Sequence, residues 1–171
     1  IYAKDMGSKA APTAGLHFTD ELWDKISASN IQQAEVTLHV GLGTFAPVKA
    51  DKIEDHTMHS EWFEIDEPIA NQLNQAEHIT AVGTTSVRVL ETCMERHQQF
   101  VSTKTETDIF IRPGFKFKAA DALITNFHLP KSTLLMLVAA YTGFEEMKKI
   151  YQHAIDKEYR FYSFGYAMLI L

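Results

Sequence analysis

The stretch that most limits how this chain can fold is Ile79-Thr80-Ala81-Val82-Gly83 running directly into Thr84-Thr85-Ser86-Val87-Arg88-Val89-Leu90-Glu91. Ile79 to Val82 predict a short buried strand, and a glycine followed by hydroxyl residues predicts the start of a helix. A strand that turns at glycine straight into a helix is half of a βα unit. The junction leaves backbone N–H groups and the positive end of a helix at one point, which suits an anion or a carboxylate. A well-capped helix explains the same hydroxyls. Thr84, Thr85 and Ser86 are nevertheless more than one cap requires, and Arg88 adds a fixed positive charge. The junction is not a Walker loop, since the glycine spacing and the lysine are absent.

The remaining chain repeats this alternation. Thr19 is expected to cap a short helix to Ala28, with Leu22, Trp23 and Ile26 as its buried stripe. Ala34 to Val40 predict a strand broken by Gly41-Leu42-Gly43, and Met58 to Ile65 predict a second. Glu67-Pro68 opens a helix carrying Ile69, Leu73 and Ala76, with proline in the first turn where its missing N–H costs little. Asp108 to Arg112 predict a strand closed by Pro113-Gly114, and Asp121 to Thr125 predict another. Leu134 to Tyr141 and Phe144 to Lys157 read as helices, and Ala167 to Leu171 as a closing strand. Strand and helix alternate repeatedly, so an α/β fold with a parallel sheet and outer helices is expected, with too few βα units to close an eight-fold barrel.

The chain has 171 residues, which suits one domain. Its net charge of −6 and pI of about 5.7 give no general attraction to nucleic acid or anionic membrane, so a polyanion would need a local basic patch. The single cysteine, Cys93, excludes an internal disulfide and a Cys-rich zinc site, which favours a reducing cytoplasm, and it sits in a helical pattern as a packing residue. The longest apolar run, Leu134 to Ala140, is too short for a membrane span, and no signal peptide is evident, so a soluble cytoplasmic protein with no membrane partner is expected. The chain opens abruptly at Ile1, which suggests a fragment.

Polar residues concentrate in two places. Val36 to Glu61 holds His39, His56, His59, Gly41, Gly43, Thr44 and Glu61, with His59 and Glu61 two apart and on one face of a strand. Each histidine alone is equally explained as a hydrogen-bonded structural residue, but three beside a glycine turn point to a site. The second cluster, Asn126, His128, Pro130, Ser132 and Thr133, follows a buried strand, where α/β folds place their ligands. Thr13, Gly15 and His17 lie in a loop ahead of the first helix, and His17 there is either a turn residue or part of a site. Phe115-Lys116-Phe117-Lys118 alternates aromatic and cation, the pattern of a half-exposed strand and also of a base-stacking platform. Lys148 and Lys149 read as solvated surface.

Five motifs together resemble a known family. They are Ala10-Ala11-Pro12-Thr13-Ala14-Gly15-Leu16-His17-Phe18, Thr37-Leu38-His39-Val40-Gly41-x-Gly43-Thr44-Phe45, Glu54-Asp55-His56-x-Met58-His59-Ser60-Glu61, Ala81-Val82-Gly83-Thr84-Thr85-Ser86-Val87-Arg88, and Leu123-x-Thr125-Asn126-Phe127-His128-Leu129-Pro130-x-Ser132-Thr133-Leu134. In this order they resemble the S-adenosylmethionine:tRNA ribosyltransferase-isomerases of queuosine biosynthesis. The resemblance runs from Tyr2 to Leu171 and is weak only near Gln72 to His78 and Glu95 to Glu106. It implies transfer and isomerisation of the ribosyl part of S-adenosylmethionine onto 7-aminomethyl-7-deazaguanine at the wobble position of a tRNA, giving epoxyqueuosine and releasing adenine and methionine. It also implies that residues 1–171 are the C-terminal part of a catalytic α/β barrel-like domain, an incomplete barrel whose N-terminal part and inserted β-barrel domain lie outside this sequence. One position departs from the family pattern: Gly165-Tyr166-Ala167 stands where the family usually has Gly-Asp-Ala.

On that resemblance His39, His56, His59 and His128 are expected to line the reacting centre, with Glu61 orienting a histidine. A base must take a proton from the deazaguanine side chain and acid help must reach the leaving adenine, tasks that suit imidazole. Thr84, Thr85, Ser86 and Arg88 are expected to hold the methionine carboxylate or a phosphate, and Gly41 and Gly43 to let backbone approach the nucleoside. Thr13, Gly15, His17, Thr44, Asn126, Ser132 and Thr133 complete the expected substrate-binding set. No metal or cofactor is expected, S-adenosylmethionine being a substrate, and the chain is expected to be a monomer. Two rivals remain: a metal-dependent hydrolase using His56, His59 and Glu61, and a non-catalytic tRNA-binding piece, against which the negative charge argues.

Overall fold

Alternating burial marks the middle strand of one sheet, and near-continuous burial the middle strand of the other. The computed structural model describes residue 8 and residues 11–41, 48, 53–163 and 165–171. Strand β1, Thr37–His39, pairs antiparallel with β2, Glu61–Ile65, which pairs antiparallel with β4, Thr103–Thr107. Along β2 the side chains of Glu61, Phe63 and Ile65 are buried while Trp62 and Glu64 are only half-buried, the two-residue period of a sheet with one face on the core. The second sheet has the order β3-β5-β6, with β3 Thr80–Val82, β5 Ala122–Asn126 and β6 Ala167–Ile170. There β3 and β5 are parallel, while β6 runs antiparallel to β5.

Among the described residues five α-helices flank these sheets: α1 Asp20–Ala28, α2 Glu67–Gln75, α3 Thr84–His97, α4 Thr133–Thr142 and α5 Phe144–Asp156. Their starts follow local chemistry. Thr19, Asp66 and Ser132 each accept from a first-turn amide of α1, α2 and α4, respectively. The central helix α3 instead begins at Gly83, at φ +92° and with no side-chain cap. Its Val87, Val89, Leu90 and Cys93 enter the main core beside Phe63, Ile65, Leu123 and Val138.

The α/β class is as expected, but the arrangement differs from a parallel sheet with outer helices: among the described residues one strand pair is parallel and three pairs are antiparallel. The strand expected over Asp108 to Arg112 is instead β4, just upstream. Its Thr-Lys-Thr-Glu-Thr sequence is polar because all but Thr107 keep some exposure, so it carries no apolar signal. The stripe of α1 is not buried either: Trp23 stacks on Phe18 at 4.8 Å between ring centroids, yet no residue of the helix is fully covered. Phe115 and Phe117 pack inward, Phe117 lying 3.7 Å from the ring of Tyr141, so these aromatics are committed to the core. Among the described residues no helix is long and apolar enough to cross a membrane.

Candidate active site

The parallel pair ends at Val82 on β3, in register with Ile124, and two residues further on at Asn126 on β5, and the 3-10 turn Thr13–His17 packs against β5. Small residues allow that approach. Ala14 and Gly15 are buried in the turn, and a Cβ placed on Gly83 would lie 3.8 Å from the Ala14 methyl. Asn126, 5 % exposed, joins the pieces. Its Nδ2 donates to Thr13 Oγ1 over 2.8 Å, and its Oδ1 lies 2.5 Å from His17 Nε2. Residues separated by more than a hundred positions are thus brought into one polar chain. In the same place α3 offers its uncapped first turn, with Thr84 and Thr85 buried. The hydroxyl of Ser86 turns back and donates to Val82 O over 2.8 Å. The positive end of the helix is therefore not neutralised by its own hydroxyls.

One turn further along α3, on the same face as Thr84, the Arg88 side chain is 3 % exposed. Its Nη1 donates to Glu61 Oε2 over 2.5 Å, Nη2 approaches the carbonyls of His59 and Thr107 at 3.4 Å, and Nε donates to Ile109 O. Glu61 Oε1 accepts from Gly41 N over 3.1 Å. Arg88 and Glu61 therefore tie α3 to the antiparallel sheet and to the chain leaving β1. This corrects the expectation that Arg88 is an anion ligand: its guanidinium is already taken up by a carboxylate and three carbonyls. Burial lowers the Arg88 pKa from its ordinary value, and Glu61 opposes that shift.

The expected histidine cluster is not joined. His39 meets Trp62 edge-on at 4.6 Å, His56 meets Phe110 at 5.3 Å, and His59 is exposed, contributing its carbonyl to Arg88. No hydrogen bond or ring contact links these three to one another or to His128 among the described residues. His128 belongs to the other sheet: Thr125 Oγ1 lies 2.9 Å from its Nε2, and its backbone N–H donates to the Tyr151 hydroxyl. Burial pushes the His128 imidazole down to about 4 and the Tyr151 phenol up to about 12. Ser132 accepts from Leu135 N as the cap of α4 and donates to Leu129 O, and Thr133 is buried in the first turn of that helix. Gly43 and Thr44 lie outside the described residues. Among the described residues no group of three His, Cys, Asp or Glu side chains is placed to hold a metal ion.

Three contributions went unforeseen. Glu91, fully buried on α3, accepts from the backbone N–H groups of Lys118, Ala119 and Ala120. An acid one helical turn after Val87 on an otherwise apolar stripe is the signal that marks it. Tyr151 carries no such mark, because a tyrosine on an amphipathic stripe looks like core. Tyr166, at the position that departs from the family pattern, stacks on Tyr159 at 4.7 Å with Arg160 over its face. The neighbouring Gly165 has φ +132°, and an added Cβ would meet the Arg160 guanidinium at 2.8 Å.

The family model described as queuosine biosynthesis protein matches residues 1–170. The S-adenosylmethionine:tRNA ribosyltransferase-isomerases of Staphylococcus saprophyticus and Staphylococcus haemolyticus are each 57 % identical over the whole of this chain, which covers 51 % of each of them. That of Staphylococcus aureus strain Newman is 55 % identical, again with 51 % of its length covered. A crystal structure of S-adenosylmethionine tRNA ribosyltransferase from Thermotoga maritima is 44 % identical with a TM-score of 0.76, covering 92 % of this chain and 51 % of that one. The chain thus spans about half the length of the curated relatives it matches.

Proposed function

Since the chain belongs to the queuosine biosynthesis protein family, we propose that it carries part of the active site of an S-adenosylmethionine:tRNA ribosyltransferase-isomerase. The reaction moves and isomerises the ribosyl part of S-adenosylmethionine onto an aminomethyl-deazaguanine at the wobble position of a tRNA. Epoxyqueuosine forms, and adenine and methionine leave. S-adenosylmethionine is a substrate here, and a tRNA is the macromolecular partner, met in the cytoplasm by a monomer.

The observation that carries this reading is the gathering of Thr13, His17, Asn126 and the uncapped start of α3 at the carboxyl ends of β3 and β5. That is where an α/β fold receives a ligand. The chemistry matches the reaction's needs: the helix end suits a methionine carboxylate or a phosphate, and imidazole groups suit proton transfer. His128 follows the same strand two residues after Asn126, withdrawn from water and held by Thr125. The rival hydrolase would need Glu61 as a metal ligand, and that carboxylate instead accepts from Arg88 and Gly41. The test is to mix the complete polypeptide carrying this sequence with S-adenosylmethionine and precursor-bearing tRNA. Free adenine is expected, and its absence with intact tRNA binding would favour a non-catalytic role.

A further inference from the structure

The first turn of α3 holds two hydroxyls that the fold itself leaves unused. The helical ladder begins at Val87 N, which donates to Gly83 O over 3.3 Å, so the amides of Thr84, Thr85 and Ser86 have no partner within the helix. Gly83 brings no side chain to cap them, and the Ser86 hydroxyl is spent on Val82 O. Thr84 is 5 % exposed and Thr85 6 %, yet neither hydroxyl has a hydrogen bond among the described residues. A threonine so deeply buried ordinarily finds a partner, as Thr92 does with Arg88 O and Thr107 Oγ1. Among the described residues no side-chain oxygen sealed from solvent lacks a partner, so each of these hydroxyls keeps an opening while the rest of its residue is covered. The Thr85 hydroxyl lies back beside the N-cap, 3.7 Å from where a Cβ on Gly83 would stand, in the direction that helical side chains lean.

Resting on the function proposed above, we infer that this turn is the subsite for the terminal carboxylate of S-adenosylmethionine, with the Thr84 and Thr85 hydroxyls donating beside the free amides. Arg88 takes no part, being held by Glu61 and three carbonyls. Carboxylate and phosphate are both anions that a helix start can hold, and shape separates them. A phosphodiester within RNA carries ester groups on two sides and needs clearance on both. A terminal carboxylate enters end-on, which suits a turn where the Ala14 methyl stands 3.8 Å from the position of an added Gly83 Cβ and where Ala14 and Gly15 are themselves buried. Anchored there, the short aliphatic stem of the methionine sets how far the sulfonium lies from the helix.

The test is calorimetric titration of the complete polypeptide with S-adenosylmethionine, with its decarboxylated analogue and with precursor-bearing tRNA. A hydroxyl that donates to a charged group is worth roughly 10- to 100-fold in affinity, so Thr85→Val is expected to weaken S-adenosylmethionine binding by that factor, and Thr85→Ser much less. The analogue is expected to bind the unaltered protein at least roughly tenfold more weakly than S-adenosylmethionine, and to bind Thr85→Val no more weakly still, since the contact removed is one it never makes. The tRNA affinity is expected to stay the same in both variants. Thr84→Val makes the same discrimination where Thr85→Val does not fold. Equal weakening of S-adenosylmethionine and of the analogue overturns the inference, as does a loss of tRNA affinity with S-adenosylmethionine binding intact, which would make the anion an RNA phosphate. Absence of S-adenosylmethionine binding by the unaltered polypeptide would instead remove the function on which the inference rests, so the two failures are distinct.

Discussion

At the level of single residues the strongest commitment is the Arg88–Glu61 pair. Two charges removed from water are repaid only when both are present, and deleting one of them leaves the other stranded, at a cost of about 3–5 kcal/mol. Glu61→Ala is therefore expected to lower stability in urea unfolding by that amount, a large share of what such a domain has. Adding Arg88→Met should cost much less than a second loss of that size, because the stranded cation goes with it, although three carbonyls then lose a donor. His128 gives a pH signature. Its folded value of about 4 lies below the ordinary 6.5, so the unfolded chain binds the proton more readily. Stability is thus fully present above about pH 6.5 and falls as the pH drops toward 4. Unfolding midpoints measured across that window should slope for the native chain and slope less for His128→Gln.

Among the elements, α3 shows how a single backbone position sets a site. Gly83 sits at φ +92°, ψ 144°, a region essentially reserved for glycine, while its surroundings leave ordinary room for a methyl group. Gly83→Ala is expected to cost about 1–3 kcal/mol, from backbone strain alone; thermal unfolding measures it, and an unchanged midpoint would contradict the strain. This junction was legible in the sequence, as were the starts of α2 and α4, because glycine, proline and serine act locally. β4 was not legible, since its register is set by pairing with β2 and not by its own polar residues. The burial of α1 was misjudged for the converse reason: Leu22, Trp23 and Ile26 have the right spacing, but spacing does not say whether anything packs against them. The candidate site was half legible. Asn126 and His17 stood out singly, whereas their contact spans 109 positions and only the fold reveals it.

For the molecule as a whole, α3 is the beam between two small sheets. It follows β3 directly, packs on β4 and β5, and reaches β2 through Arg88. Hydrogen exchange should reflect this: amides in the middle of α3 are expected to exchange only with global opening, while those of α1, which has no buried residue, exchange through local opening. Comparable protection in both helices would contradict that hierarchy. A last consequence belongs to Glu91. Its carboxylate grips the three amides just before β5, at the end of the strand away from Asn126. That grip works as a datum from which the strand is measured out. Were β5 to slip by one residue, the alternation of side chains would swing Asn126 to the opposite face, and His17 would lose its partner. A carboxylate that meets no reactant thereby decides whether the polar chain at the far end of the strand can assemble.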